Sequence, residues 1–234
     1  MLNKIKGIIL YSKLSNDNNL YIKFLSENDE VISGIVFGGS SSKNKNIYQL
    51  GFFLNFVIEK KKSNFPYSIK GEVIAPYLSP LIDDKFKLHC LLAIISLINL
   101  SLIEGQKIQN IFKISGKMIN SLILKKNWLI YFIKYLYNLL KIIGYEIDYI
   151  NNSKKPYFDI SLVKFRNIKN DFSLLFPHQL LNNEIKINYE SVKSAFMIFD
   201  SIFQNNHLIN MNLKLPIHYI KFKNLILQYL RDKL

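Results

Sequence analysis

The sequence has 234 residues, of which 49% are hydrophobic and 14% aromatic, and it contains one cysteine. This apolar share excludes an intrinsically disordered chain, and the single cysteine excludes a disulfide framework and any four-cysteine metal site. The 31 basic and 17 acidic residues give a formal net charge of +14, but only Arg166 and Arg231 are arginine. Abundant Lys, Asn and Ile are typical of an AT-rich genome, so charge alone favours a polyanionic partner only weakly.

The first residues have no apolar core followed by small residues, and we therefore expect no secretory signal. The most apolar stretch, 88–103, is 16 residues long and includes His89 and Asn99. A membrane-spanning helix needs about 20 predominantly apolar residues. The stretch therefore predicts a buried core helix, and we expect a soluble, cytoplasmic protein with no membrane contact.

Residues 1–76 have the pattern of a small β-barrel. Five strands are predicted, at 5–11, 20–25, 31–37, 52–60 and 67–74, separated by turn-forming runs of Ser, Asn, Asp and Gly. In the second strand Leu20, Ile22 and Phe24 alternate with Tyr21 and Lys23. Five short strands predict an OB-fold, a barrel that often binds single strands, and an SH3-like barrel is the structural alternative.

Residues 77–234 follow a helical period, so the sequence predicts an α+β chain with a barrel at 1–76 and an all-helical domain after it. Pro76 and Pro80 mark the boundary. The predicted helices are 82–100, 108–124, 127–143, 191–205 and 216–233, with Gly144 ending the third and Ser191 capping the fourth. Short extended segments are expected at 145–150 and 158–163.

The search for catalytic chemistry is negative, and the sequence predicts neither an enzyme, a cofactor nor a metal site. Gly116-Lys117 resembles part of a phosphate-binding loop, but Ile111 and Met118 stand where that motif needs a glycine and a hydroxyl. The four histidines have no ligand spacing, and Cys90 lies in an apolar helix as a small core residue.

Lysines point instead to a binding role. The stretch 105–145 contains seven lysines and no acid, and the loop 38–46 combines glycines and serines with two lysines. The candidate nucleic-acid contacts are Lys4, Lys6, Lys43, Lys45, Lys60 and Lys61. Lys113, Lys117, Lys125 and Lys126 are candidate contacts to nucleic acid or to an acidic peptide tail. The candidate base-stacking aromatics are Tyr11, Tyr21, Tyr48 and Phe65.

Several segments stand in a characteristic order along the chain: KGIIL at 6–10, VISGIVFGGS at 31–40 with Leu50-Gly51, Glu72, Trp128 with Tyr131, LLKIIGYEID at 139–148, and the pairs Phe176-Pro177 and Leu215-Pro216. This ordered set resembles the RecO family of bacterial recombination mediators. The sequence differs from the family pattern in its arginine-free loop, in lacking the four zinc-binding cysteines of some members, and in having Ile217-His218-Tyr219 where a basic residue is common.

The resemblance implies an OB-fold followed by a helical domain, and binding to single- and double-stranded DNA. It also implies annealing of complementary strands, contact with the acidic C-terminal tail of single-strand-binding protein, and a partnership with RecR that helps to load RecA. The residues alone leave two alternatives open. One is an RNA-binding or ribosome-associated OB-fold protein, and the other is an interaction scaffold whose charge reflects base composition.

Overall fold

The computed structural model describes residues 4–16, 18–44, 46–60, 66–74, 78–182 and 187–233. The chain forms two compact units, Met1–Gly116 and Lys117–Leu234. The first unit thus contains helical segments as well as the five-stranded barrel. The sequence-based domain boundary at residue 76 remains a prediction.

Five strands close the barrel of the first unit: β1 (Lys4–Leu14), β2 (Leu20–Ser26), β3 (Val31–Val36), β4 (Phe53–Glu59) and β5 (Tyr67–Val73). Their order around the barrel is β1-β2-β3-β5-β4, with β4 returning to β1. The β3–β5 pair is parallel and all other pairs are antiparallel. This arrangement confirms the OB-fold prediction over the SH3-like alternative.

The barrel core follows from the alternation of apolar residues in the strands. Leu20, Ile22 and Phe24 face inward and are buried, as the period of two requires. Phe24 stacks on Phe56 across the barrel, with ring centroids 3.9 Å apart. Gly7 lies against this pair, and a Cβ at that position would stand only 2.4 Å from the Phe24 ring. Glycine at position 7 therefore permits the close approach of β1 to the aromatic core.

Helices α1 (Ser79–Ile82), α2 (Lys85–Ser101) and α3 (Ile111–Leu124) follow the barrel. Asp84 caps α2, its carboxylate accepting hydrogen bonds from the backbone N–H groups of Phe86 and Lys87 at 3.0 and 3.1 Å. The helix predicted at 82–100 corresponds to α2, which begins three residues later because Asp84 adopts the extended backbone of an N-cap.

The second unit is mainly helical. Its elements are α4 (Trp128–Ile142), β6 (Tyr157–Asp159), β7 (Lys164–Arg166), β8 (Ser173–Leu175), α5 (His178–Leu181), α6 (Tyr189–Ile202) and α7 (Ile217–Arg231). A π-helical segment, Phe203–Leu208, and a short 3₁₀ turn, Ile209–Met211, continue α6. Gly144 has φ +96° directly after α4, the left-handed conformation expected of a C-terminal glycine.

The structure of the second unit differs from the sequence-based predictions at three points. The cap of α6 is Asn188, whose side chain accepts from the Ser191 N–H at 2.9 Å, so Ser191 itself is not the cap. A three-stranded sheet, in the order β7-β6-β8, is added to the predicted helices. It includes part of the extended segment expected at 158–163, whereas 145–150 forms no strand.

Aromatic side chains from α4, α6 and α7 fill the core of the second unit. Phe132 contacts Phe222 edge-to-face at 4.9 Å, and Phe199 contacts Tyr219 at 5.5 Å. The Tyr219 hydroxyl and the Lys223 ammonium both donate to the Asp200 carboxylate, each at 2.5 Å. No helix within the described ranges is long and apolar enough to cross a membrane.

Candidate nucleic-acid interface

Strands β1, β2 and β3 present one outward face of the barrel. Because Leu20, Ile22 and Phe24 point inward, Tyr21 and Lys23 point outward. The strand register places Lys13 and Ile35 beside Tyr21, and Tyr11 and Ser33 beside Lys23. We call these six residues the tyrosine–lysine face: Tyr11, Lys13, Tyr21, Lys23, Ser33 and Ile35.

Within this face the aromatic and basic side chains alternate. Tyr11 is paired across the strands with Lys23, and Lys13 with Tyr21. The two tyrosine rings contact each other edge-to-face at 6.2 Å, and Tyr11 is 36% exposed. Exposed rings offer stacking surfaces for bases, and neighbouring ammonium groups offer charges for the phosphates between them. The face also lies on strands 2 and 3, which carry oligonucleotides in many OB-folds.

Two of the four predicted stacking aromatics therefore lie together on an accessible face. Tyr48 does not share this position, because it is buried at 6% exposure and its hydroxyl accepts from the Gly71 N–H at 3.1 Å. Burial raises the pKa of Tyr48, as expected for a phenol inside the barrel wall. Tyr48 is thus a core residue, and the fourth candidate, Phe65, lies outside the described residues.

Sequence reasoning omitted Lys13 and Lys23 from its candidate contacts. The sequence does place a tyrosine and a lysine two residues apart on each strand, Tyr21 and Lys23 on β2 and Tyr11 and Lys13 on β1, so that each pair shares one face of its strand. However, whether the two pairs lie on the same face of the sheet depends on the register of β1 against β2. That register shifts at a bulge between Ile9 and Tyr11. A shift of one residue moves a side chain to the opposite face of a sheet.

Lys4 and Lys6 lie on another part of the barrel wall, where β1 pairs with β4. Lys4 forms an exposed ion pair with Glu72 at 3.4 Å, and the Lys6 backbone N–H donates to the Glu27 carboxylate at 2.8 Å. Both lysine side chains are exposed. Their surroundings are thus of mixed charge.

The loop predicted to follow a phosphate backbone is a series of hydrogen-bonded turns. The N–H of Gly38 donates to the Asn19 side chain at 3.0 Å, and that of Ser40 to the Asn18 carbonyl at 3.0 Å. The N–H groups of Gly39 and Ser41 also bond to carbonyls. These backbone donors are occupied within the chain, and contact of the loop with a phosphate backbone stays a prediction. Lys43 remains exposed on the loop, and Lys45 lies outside the described residues.

Lys60 stands at the end of β4, close to the start of β5. Its ammonium lies 5.5 Å from the centre of the Tyr67 ring, a cation–π contact between the two strand ends. Tyr67 is 38% exposed. The neighbouring candidate Lys61 lies outside the described residues.

The helical candidates are exposed but separate from the barrel face in sequence. Lys113 and Lys117 lie one turn apart on α3, while Lys125 and Lys126 lie between α3 and α4, and all four are exposed. The positive charge of the stretch 105–145 is partly neutralised from outside it. Lys141 forms an ion pair at 2.5 Å with Glu146, the residue that follows the stretch. This hydrogen bond from the Lys141 ammonium raises the pKa of that lysine.

A cleft of about 790 Å³ lies within the second unit. Its apolar lining includes Leu174, Phe176 and Met197, and Lys154 and Lys193 stand with Glu190 among its polar residues. Such a cleft combines an apolar floor with two cationic groups. This combination suits a peptide that carries both apolar and acidic residues.

The structure bears on metal and nucleophile chemistry at two points. In the ranges described, no three His, Cys, Asp or Glu side chains are grouped closely enough to hold a metal ion. Cys90 is buried in α2, and burial raises the pKa of its thiol. A protonated, inaccessible thiol is a packing residue rather than a nucleophile.

The comparisons agree with the fold. The family model described as "Recombination protein O N terminal" matches residues 1–77. The chain is 29% identical over 217 residues to the DNA repair protein RecO of Rickettsia canadensis, covering 88% of this chain and 89% of the relative. It is 27% identical over 239 residues to RecO of Rickettsia bellii, covering 97% and 95%. RecO of Rickettsia akari is 27% identical over 218 residues, covering 88% and 90%.

Proposed function

We propose that this protein is a recombination mediator, because residues 1–77 match the model of the RecO N-terminal domain and the chain resembles RecO DNA repair proteins over most of its length. It binds single- and double-stranded DNA and anneals complementary strands. With RecR it helps to load RecA onto single strands coated with single-strand-binding protein. Its place of action is the cytoplasm, at the nucleoid.

The observation that carries this proposal is the alternation of tyrosines and lysines on the tyrosine–lysine face. Stacking on an aromatic ring contributes about 1–3 kcal/mol per base and depends little on sequence. Adjacent lysines neutralise the phosphates between stacked bases. A face of this kind holds a single strand without reading its sequence, as a mediator of annealing requires.

Annealing also requires that the charges of two strands be reduced together. The lysines of the barrel and those of α3 and the α3–α4 connection supply positive charge from separate elements. Neutralising phosphates releases counterions and reduces repulsion between strands. No catalytic group is needed for this reaction, so the proposed activity is not enzymatic.

We further propose that the cleft of the second unit receives the C-terminal tail of single-strand-binding protein. That tail is acidic and partly apolar, and the cleft offers Lys154 and Lys193 beside Phe176 and Met197. Burial of apolar tail residues on the cleft floor would supply affinity, and the lysines would orient the carboxylates.

The first test is strand annealing with two complementary fluorescent oligonucleotides, with and without single-strand-binding protein. Wild-type protein should accelerate pairing at modest salt in both conditions. Changing Tyr11 and Tyr21 together to Ala should reduce affinity for single strands by about tenfold or more, from the loss of base stacking. The matched control is Tyr131→Ala, which removes a tyrosine that is 42% exposed on α4.

The outcomes separate the candidate functions. Absence of acceleration by the wild-type protein contradicts the mediator role. Equal loss of binding in the double variant and in Tyr131→Ala contradicts the assignment of the tyrosine–lysine face. Competition between RNA and DNA oligonucleotides of one sequence tests the alternative, since a strong preference for RNA would favour an RNA-binding protein.

A further inference from the structure

A tight turn in the first unit places one glutamate against the tyrosine–lysine face. The turn spans Ile103 to Gln106, closed by a hydrogen bond from the Gln106 N–H to the Ile103 carbonyl at 2.9 Å. Gly105 has φ +82°, a backbone conformation that residues other than glycine rarely adopt. Glu104 precedes this glycine, so the turn fixes where its side chain emerges.

Both oxygens of the Glu104 carboxylate meet residues of that face. Oε1 accepts a hydrogen bond from the Ser33 hydroxyl, and Oε2 lies 3.8 Å from the Lys23 ammonium. Lys23 and Ser33 are direct cross-strand partners in β2 and β3. The two donors thus converge on one anionic group.

The chain after this turn is held against the same hairpin. The Ile108 N–H donates to the Asp29 carbonyl at 3.1 Å, and the Asn110 N–H to the Asp29 carboxylate at 2.8 Å. Glu30 and Lys107 form an antiparallel bridge between their backbones. These contacts belong to a single compact unit, so Glu104 is presented to the face by anchored backbone.

A serine hydroxyl beside a lysine ammonium is a donor pair that suits phosphate oxygens as well as carboxylate oxygens. We infer that Lys23 and Ser33 form a subsite for one backbone phosphate of the bound strand, and that Glu104 occupies this subsite in the free protein. The inference rests on the proposed function and adds its regulation. Glu104 acts as an internal competitor that lowers the affinity of the face for nucleic acid.

The exposure of the pair makes displacement by a strand feasible. The Lys23 and Glu104 side chains are 34% and 48% exposed, and ion pairs with this much solvent contact are weak. A phosphate arriving with its neighbouring bases stacked on Tyr11 and Tyr21 therefore displaces the carboxylate. The phosphate bound at the subsite then releases its condensed counterion, and this release adds to the salt dependence of binding.

The test is the binding of a fluorescent oligothymidine to wild-type protein and to Glu104→Gln across a salt titration. The variant should bind about two- to fivefold more tightly at low salt, the range set by a weak exposed ion pair. Its salt slope should differ from that of wild type by less than about 0.7, the value of one phosphate contact on a single strand, because the bound strand occupies the subsite in both proteins. Adding Lys23→Ala to Glu104→Gln should abolish the gain.

The matched control is Glu146→Gln, which also removes a glutamate from an exposed ion pair with lysine and changes the net charge equally. An equal gain in both variants would mean that only total charge matters, and this overturns the inference. Unchanged affinity in Glu104→Gln, with wild-type binding intact, also overturns it and leaves the proposed function standing. Failure of the wild-type protein to bind at low salt overturns both.

Competition with inorganic phosphate tests whether the subsite of Lys23 and Ser33 binds a phosphate of the strand or a free anion. In Glu104→Gln, phosphate should displace the oligonucleotide no better than chloride at equal ionic strength, since the subsite supplies only two donors. Much stronger displacement by phosphate would identify a site for free anions and contradict the inference.

Discussion

Asp159 shows why one of the two arginines in the chain stands at position 166. The Asp159 carboxylate is buried and accepts from the Arg166 Nε at 2.7 Å and from the Asn170 amide at 2.9 Å. It also accepts from the Ser161 hydroxyl and N–H, at 2.6 and 3.0 Å. The guanidinium directs its Nε–H to one oxygen in a fixed plane, a geometry that lysine cannot reproduce.

These hydrogen bonds, first from Ser161 and then from Asn170, hold the pKa of Asp159 well below its usual value of 3.8. A carboxyl with a lowered folded-state pKa stabilises the protein above pH 4, and this contribution is lost as pH falls through the folded-state pKa. We therefore expect Asp159→Asn to lower the thermal midpoint at pH 7 by several degrees. The difference from wild type should shrink as the pH falls below about 4.

Thermal unfolding monitored by circular dichroism between pH 7 and pH 3 measures this difference. The control is Asp171→Asn, because Asp171 is an exposed residue of the same sheet region. A constant difference between wild type and Asp159→Asn over the whole pH range would contradict the role given to the charged carboxylate.

At the scale of elements, helix α3 receives its cap from a distant turn. Asn110 occupies the cap position, since its carbonyl accepts from the Ile114 N–H, but its φ of +68° differs from the extended backbone of a side-chain cap. Asp29, in the β2–β3 turn, supplies the acceptor instead. Its carboxylate accepts from the N–H groups of Asn110 and Phe112 at 2.8 and 3.0 Å.

Substitutions at Asp29 separate the cap from the backbone strain, because Asp29 itself has φ +66°. Asp29→Gly tolerates this φ and removes only the acceptor, so it should lower the free energy of unfolding by about 0.5–2 kcal/mol. Asp29→Ala should cost more, since alanine disfavours positive φ. Asp29→Asn should cost least. Urea unfolding measures the order, and stability of Asp29→Gly equal to that of wild type would exclude the cap.

Features that depend on neighbouring residues could be predicted from the sequence, whereas contacts between residues far apart in the chain could not. The alternation of Leu20, Ile22 and Phe24 predicted β2, because strand period depends only on neighbouring residues. The cap from Asp29 to α3 and the contact of Glu104 with Ser33 join residues more than 70 positions apart. No periodicity encodes such pairs. The hydrogen bonds of the Gly38 and Ser40 N–H groups were likewise unpredictable, since their acceptors belong to Asn19 and Asn18.

At the scale of the whole molecule, both units are basic. The sequence assigns 14 lysines and nine acids to Met1–Gly116, and 17 basic and eight acidic residues to Lys117–Leu234. The net charges are therefore +5 and +9, and the mainly helical second unit carries the larger share. The specific contacts proposed here nevertheless depend on a few lysines beside aromatic rings, which totals cannot identify.

Buried phenols give the whole molecule a predictable sensitivity to alkali. Burial, and then the neighbouring Tyr149, raises the pKa of Tyr137 far above its ordinary value of 10.0. Burial, and then Asp200, raises the pKa of Tyr219. In the unfolded chain both phenols ionise near pH 10. The folded state therefore binds more protons than the unfolded state above that pH, and stability falls as pH rises.

Each tyrosine that stays protonated in the folded state should lower the free energy of unfolding by roughly 1.4 kcal/mol per pH unit above about pH 10. Tyr137→Phe removes one of them and forfeits only a long hydrogen bond, 3.4 Å from the Tyr137 hydroxyl to the Ala195 carbonyl. Urea unfolding between pH 8 and pH 11 should thus show a shallower loss of stability in Tyr137→Phe than in wild type. The matched control is Tyr131→Phe, which removes a tyrosine hydroxyl from an exposed position of α4 and should follow the wild-type curve. Parallel curves for wild type and Tyr137→Phe would mean that Tyr137 ionises without unfolding the second unit.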